Sequence, residues 1–143
     1  MYERILVAVN DSPAGLEAAR VAVALAAQHG AYLRAVTVLR DHVLEHALGG
    51  QPGVAHRRLA MGGKGVLAWV RLRADERGVA SDGIERDGEP FRAILDEAEE
   101  WDADLIVMGR SSRRGVSSPY LGSETAHVLE FTDRPVLVVP HES

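Results

Sequence analysis

The sequence predicts an open α/β fold, in which helices cover both faces of a parallel β-sheet. Short runs of continuous apolar residues recur along the 143-residue chain, and such runs are typical of strands that are buried on both faces. Segments with helix-capping signals and helical apolar spacing separate these runs, so strands and helices alternate. The length suits a single domain, residues 1–143, with a full hydrophobic core.

The first strand and helix have the clearest signals. Arg4 to Val9 is a predicted strand because Ile-Leu-Val-Ala-Val is continuous rather than alternating. Ser12 and Pro13 then predict the N-cap and first residue of a helix that runs to His29 and closes at Gly30. The predicted core face of this helix consists of Leu16, Ala19, Val23 and Ala27.

The remaining elements continue the alternation. Tyr32 to Leu39 is the second strand, residues 40–55 form a linker, and a second helix begins between Ala55 and Ala60 and ends at Arg77-Gly78. The later strands are expected at Val79–Glu85, Leu105–Met108 and Pro135–Val139. The later helices are expected at Glu89-Pro90 to Trp101 and at Ser123 to Phe131.

Composition argues against several classes of protein. The chain has no cysteine, so a reducing compartment is expected. The start of the chain lacks the features of a signal peptide, and the apolar stretch from Val21 to Ala27 is too short for a membrane span. The net charge of −5 argues against general nucleic-acid binding. We therefore expect a soluble, cytoplasmic protein that engages neither membranes nor nucleic acid.

The segment from Met108 to Ser123 is the most informative part of the sequence. Between its ends lie three arginines, four serines and no acid, and the segment joins the fourth strand to the fourth helix. Such a loop presents backbone N–H groups to an anion, here those of Ser123, Glu124 and Thr125 at the helix start. This pattern predicts a ligand that carries phosphate.

The sheet rule predicts the same position. Open parallel sheets bind ligands outside the carboxyl ends of their strands, where the strand order reverses. If the first strand is central, the Asn10-Asp11-Ser12 loop and the Met108-Gly109-Arg110 turn emerge side by side there. A purely structural interpretation is the alternative: Gly109 allows a tight turn, Ser123 caps the helix, and the arginines form a solvated surface.

On these residues the chain resembles the universal stress protein family over essentially its full length, from Ile5-Leu-Val-Ala-Val to Pro135-Val-Leu-Val-Val. The most specific part is the family's nucleotide motif: glycine, two residues, glycine, nine residues, then glycine followed by serine or threonine. Here the motif reads Gly109, Arg110, Ser111, Ser112, nine further residues, Gly122 and Ser123. The resemblance implies a five-stranded parallel sheet of order 3-2-1-4-5, of the adenine-nucleotide α-hydrolase-like type.

The resemblance also implies a stress-response regulatory protein that binds ATP or AMP, with or without Mg²⁺, over strands one and four. It implies no catalytic and no metal-binding residue, and at most weak ATP hydrolysis. The resemblance and the loop and helix-start patterns together predict these nucleotide-binding residues: Ala8, Val9, Asn10, Val38, Met108, Gly109, Arg110, Ser112, Gly122, Ser123, Glu124 and Thr125.

Two residues depart from the family pattern. Ser112 replaces the middle glycine of the motif, which adds about 1 kcal/mol of strain if a left-handed conformation is needed there. Asn10 replaces the usual aspartate; it still hydrogen-bonds a ribose or adenine edge, but without charge assistance. The alternative is therefore a dimeric family member that binds no nucleotide and acts through protein–protein interaction.

A homodimer is also expected. The apolar fifth strand, residues 135–139, should form a sheet edge, and exposed apolar edges are usually paired. The resemblance implies antiparallel pairing of this edge with a second copy, whereas a monomer whose edge is blunted by Pro135 and Pro140 is the alternative. An enzyme of the pyrophosphatase type is a weaker interpretation, because its Ser-Gly-Gly-x-Asp-Ser loop is replaced here by Asn10-Asp11-Ser12-Pro13.

Overall fold

A computed structural model describes residues 1–39, 62–111 and 122–141 of the chain. Within these ranges, five strands form one parallel sheet of order β3-β2-β1-β4-β5, which confirms the predicted fold class. The strands are β1 Arg4–Ala8, β2 Tyr32–Leu39, β3 Ser81–Asp87, β4 Leu105–Ser111 and β5 Val136–His141. The helices are α1 Pro13–His29, α2 Gly62–Glu76, α3 Pro90–Trp101 and α4 Ser123–Phe131.

The central strand β1 explains why its sequence is continuously apolar. Ile5 and Val7 pack into the core under α1 and α2, whereas Leu6 packs into the core under α3 and α4. All three side chains are fully buried, because helices cover both faces of the sheet. β1 pairs with β2 on one side and β4 on the other, so the strand order reverses between β1 and β4.

Helix α1 begins and ends where the sequence predicts. The Ser12 side chain accepts a hydrogen bond from the Gly15 N–H at 3.0 Å, and Pro13 is the first helical residue. Gly30 closes the helix in a left-handed conformation, with φ of 64°.

The predicted core face of α1 is partly wrong. Ala19 and Val23 are buried, but Leu16 and Ala27 are only partly buried. The buried face consists of Ala14, Gly15, Ala18, Ala19, Ala22, Val23 and Ala26. Small side chains therefore face the sheet and let the helix backbone lie close to it, while the larger Leu16 lies at the margin of the contact.

Several strand boundaries also differ from the predictions. β3 begins at Ser81 rather than Val79, and β4 continues past Met108 to Ser111. The reason is pairing: a neighbouring strand supplies backbone hydrogen bonds whatever the side chains are, and β4 runs beside β5 as far as the pair of Ser111 and His141. The predicted linker at 40–55 and the predicted start of the second helix lie outside the described residues.

Ion pairs join β2 and β3 to each other and to α3, which covers that face of the sheet. Arg34 on β2 donates two hydrogen bonds to Asp82, both of 2.8 Å, and one to Glu97 at 2.9 Å. Arg86 donates to the other oxygen of Glu97 at 3.0 Å, and the Arg34 guanidinium lies 4.7 Å from the Trp101 ring centre. The hydrogen bonds from Arg34 to Asp82 raise the pKa of the guanidinium above its ordinary value. The nearly buried Glu97 carboxylate is therefore fully paired.

Candidate functional site

A cavity of about 430 Å³ lies at the carboxyl ends of β1 and β4, where the strand order reverses. Its volume falls in the range of small-molecule sites in proteins. Most of the residues predicted from the sequence line it, namely Ala8, Val9, Asn10, Val38, Met108, Gly109, Gly122, Ser123, Glu124 and Thr125. The cavity therefore lies at the edge of the sheet, and beside the pair of strands, where the sheet rule predicts a ligand.

One wall of the cavity is apolar. Val36 and Val38 lie two residues apart on β2 and therefore share a face of the sheet, and Val36 pairs in register with Ala8. Ile94 from α3 and Met108 from β4 are buried beside them. This wall suits a flat, weakly polar group such as a nucleobase.

Asn10 organises the loop between β1 and α1. Its Oδ1 accepts hydrogen bonds from the Ser12 N–H, at 3.1 Å, and from the Ser12 hydroxyl. Because a backbone N–H can only donate, this contact identifies the oxygen of the amide, and Nδ2 remains as the donor end. Gly15 completes the loop, since a Cβ there would lie 2.9 Å from the Asn10 backbone nitrogen. Asn10 lines the cavity, and Nδ2 is the donor end of its amide.

Gly109 is fixed by packing against α1. A Cβ at this position would lie only 2.8 Å from the carbonyl carbon of Ala14, in the first turn of α1. The buried Thr125 hydroxyl donates to the Gly109 carbonyl oxygen at 3.3 Å and joins α4 to the end of β4. The glycine of the motif thus has a structural reason here, independent of any ligand.

The start of α4 corrects one prediction. Gly122, rather than Ser123, is the N-cap residue, and its φ of 92° favours glycine. The first hydrogen bond of the helix runs from the Ala126 N–H to the Gly122 carbonyl at 3.0 Å. Ser123, Glu124 and Thr125, whose N–H groups precede this bond, line the cavity at the positive end of the helix dipole.

The carboxylate of Glu124 has a function that the sequence did not reveal. Its Oε2 accepts a hydrogen bond of 2.8 Å from the N–H of Phe91, in the first turn of α3. The N-cap residue of α3, Glu89, makes no side-chain capping hydrogen bond. Glu124 therefore caps a neighbouring helix while it lines the cavity.

One predicted site residue lies away from the cavity, and another is outside the described residues. Arg110 is half-buried on β4, in register with Pro140, and does not line the cavity. Ser112 lies outside the described residues, as do Arg113 and Arg114 of the same loop.

Sequence reasoning missed several lining residues. Val36, Ile94 and Pro90 line the apolar side, and Ala14 and Gly15 line the side of α1, next to Ser12 of the predicted loop. Strand alternation from Val38 would have found Val36. Pro90 and Ile94 belong to α3, far along the chain from β2, and no local pattern in the sequence indicates that they line the cavity. Among the described residues, no group of acidic or histidine side chains is arranged to hold a metal ion.

This sheet order, with a cavity at the switch point, defines an α/β protein with the nucleotide-binding fold. The chain belongs to the universal stress protein family, whose model matches residues 1–140. A universal stress protein of Methanocaldococcus jannaschii is 31% identical over 140 residues, which are 97% of this chain and 82% of that protein.

Two solved structures of the family are similar over nearly the whole chain. One is a universal stress protein in complex with cAMP, 26% identical, with a TM-score of 0.70 and coverage of 97% of both chains. The other is the universal stress protein of Archaeoglobus fulgidus in complex with dAMP, also 26% identical, with a TM-score of 0.69 and coverage of 96% of this chain and 98% of that one.

Proposed function

We propose that this protein is a stress-response regulator that binds an adenine nucleotide in the cavity at the ends of β1 and β4. The observation that carries the proposal is the pairing, in one cavity, of an apolar wall with the N-terminus of α4. The complexes of two family neighbours with cAMP and dAMP support adenine as the base.

Each part of the cavity matches one part of a nucleotide. The apolar wall of Ala8, Val36 and Val38 accommodates the base, and the amides of Ser123 and Thr125 face the phosphate. Asn10 Nδ2 donates to an acceptor on the ribose or the base. The apolar wall excludes water from the base, while the dipole of α4 attracts the phosphate.

The proposal assigns no catalytic residue. Binding would act through partners of the protein, and any hydrolysis of bound ATP would be slow and incidental. A homodimer through the edge strand β5 belongs to the same proposal, because within the described sheet β5 pairs only with β4 and Leu137 is 37% exposed. We expect the protein to act in the cytoplasm.

Thermal unfolding with AMP, ATP and cAMP tests the proposal. A ligand at a hundred times its dissociation constant adds about 2.7 kcal/mol to the free energy of unfolding. Binding should therefore raise the melting temperature clearly. Val38→Phe places a ring in the cavity and should abolish the rise. Leu72→Phe, on the exposed face of α2, is the matched control and should leave it unchanged.

GMP tests the preference for adenine, and we expect a smaller rise than with AMP. If millimolar adenine nucleotides leave the melting temperature unchanged, the proposal is wrong. That result would favour the alternative, a family member that binds no nucleotide and acts through protein–protein contacts.

A further inference from the structure

We infer that the outer surface formed by α3 and α4 docks a positively charged amphipathic helix of a partner protein. This surface combines the apolar side chains of Phe91, Leu95 and Phe131 with exposed acidic side chains at the ends of both helices. None of the three apolar residues lines the cavity described above. The inference therefore concerns a second surface, and it stands whether or not the cavity binds a nucleotide.

Stacked rings form the apolar part of the surface. The Phe91 ring of α3 lies 4.6 Å from the His127 ring and 6.1 Å from the Phe131 ring of α4, measured between ring centres. Leu95 lies one helical turn after Phe91 and shares its side of α3. Phe131 is 62% exposed, although its ring is stacked on its neighbours. An exposed aromatic ring beside other apolar side chains is typical of a contact surface.

The spacing of these side chains suits a helix as the occupant. Phe91 and Leu95 are four residues apart on α3, and His127 and Phe131 are four residues apart on α4. The two pairs form an apolar strip along neighbouring helices. An amphipathic helix binds such a strip with side chains that recur every three or four residues.

Acidic residues lie where the helix dipoles are already negative. Glu99 is exposed four residues after Leu95, and Glu130 is exposed three residues after His127. Both carboxylates belong to the last turn of their helix, and neither α3 nor α4 as described has a basic residue in that turn. Because both helices connect strands of one parallel sheet, their C-termini lie at the same edge of it. The carboxylates and both dipoles therefore attract a cation to this end of the strip.

Two nearby arginines are engaged elsewhere. Arg134 is mostly buried, and its Nη1 donates to the Asp102 carboxylate at 3.3 Å and to the Ala103 carbonyl at 3.0 Å. The Arg92 guanidinium lies 5.5 Å from the Phe91 ring centre, at the opposite end of α3 from Glu99.

Charge complementarity thus selects the occupant. Lysine or arginine side chains on a partner helix would contact Glu99 and Glu130, while its apolar face covers Phe131. The same carboxylates would repel a nucleic acid or an anionic lipid surface, so a basic protein segment fits best.

The probe is a fluorescein-labelled peptide of about 18 residues, or five helical turns, with leucine along one face and lysine elsewhere. Fluorescence anisotropy at physiological salt, without nucleotide, measures its affinity. We expect saturable binding. A peptide with glutamate in place of lysine should bind at least about tenfold more weakly, because its charge opposes that of Glu99 and Glu130.

Phe131→Ser tests the apolar contact. Because Phe131 is largely exposed, the variant should fold, which circular dichroism checks, and its affinity for the lysine peptide should fall about tenfold. Leu72→Ser is the matched control, since Leu72 is an exposed apolar residue on α2, and it should change the affinity by less than about twofold.

Glu130→Lys tests the charge. It should weaken binding of the lysine peptide about fivefold, and the effect should shrink at high salt. Asp75→Lys reverses the same charge at an exposed position on α2, so it controls for the net charge of the protein and should have a smaller effect.

Three results would overturn the inference: no saturable binding, equal binding of the lysine and glutamate peptides, or equal affinity of the wild type and Phe131→Ser. Self-association of the wild type that Phe131→Ser abolishes in light scattering would also overturn it, in favour of a second copy as the occupant. Since the peptide experiments contain no nucleotide, their failure leaves the proposed function untouched.

Discussion

Gly109 lies so close to Ala14 that a Cβ at position 109 would stand 2.8 Å from the Ala14 carbonyl carbon, with the carbonyl oxygen nearer still. The first glycine of the nucleotide motif is therefore the point where β4 and the first turn of α1 come together. Both elements line the same cavity. The close packing of α1 on β4 thus depends on a residue that also lines the cavity.

Gly109→Ala should lower the free energy of unfolding by about 1–3 kcal/mol, because the new methyl group meets main-chain atoms that cannot rotate away. Gly30→Ala is the control: Gly30 is left-handed but a Cβ there meets nothing within 4 Å, so that variant measures conformational strain alone, about 1 kcal/mol. Urea unfolding of both variants checks this. A smaller loss for Gly109→Ala than for Gly30→Ala would contradict the packing argument.

Asn10 and Ser12 should behave as one unit. Each single substitution to alanine removes the contact between them, and Ser12→Ala also removes the cap of α1, so each should cost about 1 kcal/mol. The double variant should lose less than the sum of the two, because the shared contact can be lost only once. Losses that add fully in a double-mutant cycle would show that the two side chains do not interact.

Arg34 should contribute strongly to stability. Arg34→Met removes the partner of Asp82 and one partner of the nearly buried Glu97, and we expect a loss of about 2–3 kcal/mol after allowance for partial exposure. The raised pKa of Arg34 adds stability that is present below the unfolded pKa and disappears only when the pH exceeds the folded value. The loss in Arg34→Met should thus be the same at pH 6 and pH 9, which chemical denaturation at the two pH values measures.

The edge strand β5 should mediate dimerisation. Leu137→Glu places a charge on the exposed apolar edge and should convert a dimer to a monomer of 15.5 kDa in light scattering. Leu72→Glu, at an exposed position on α2, should leave the mass unchanged. A wild type that already elutes as a monomer would contradict the dimer and favour the blunted-edge alternative.

The fold could be predicted because its signals are local. Ser12-Pro13 and Gly30 bound α1 through capping chemistry that involves neighbouring residues only. The continuous apolar run of β1 reflects burial on both faces. The position of the cavity then follows from the rule for parallel sheets, which is why most of its predicted residues are found there.

The features that could not be predicted depend on contacts between distant residues. The Glu124 carboxylate meets the N–H of Phe91, which is 33 residues away, and no spacing in the sequence indicates that contact. The burial of Ala18 rather than Leu16 depends on how closely α1 approaches the sheet. In both cases the three-dimensional arrangement decides what the side chain does.

Nuclear magnetic resonance during a titration with AMP tests the central claim most directly. If the nucleotide occupies the cavity, the amide signals of Val9, Asn10, Ser123 and Thr125 should shift progressively. The amide signal of Val70, on the buried face of α2, should stay in place. Signals at the cavity that remain unchanged in millimolar AMP, or shifts confined to another surface, would contradict the account.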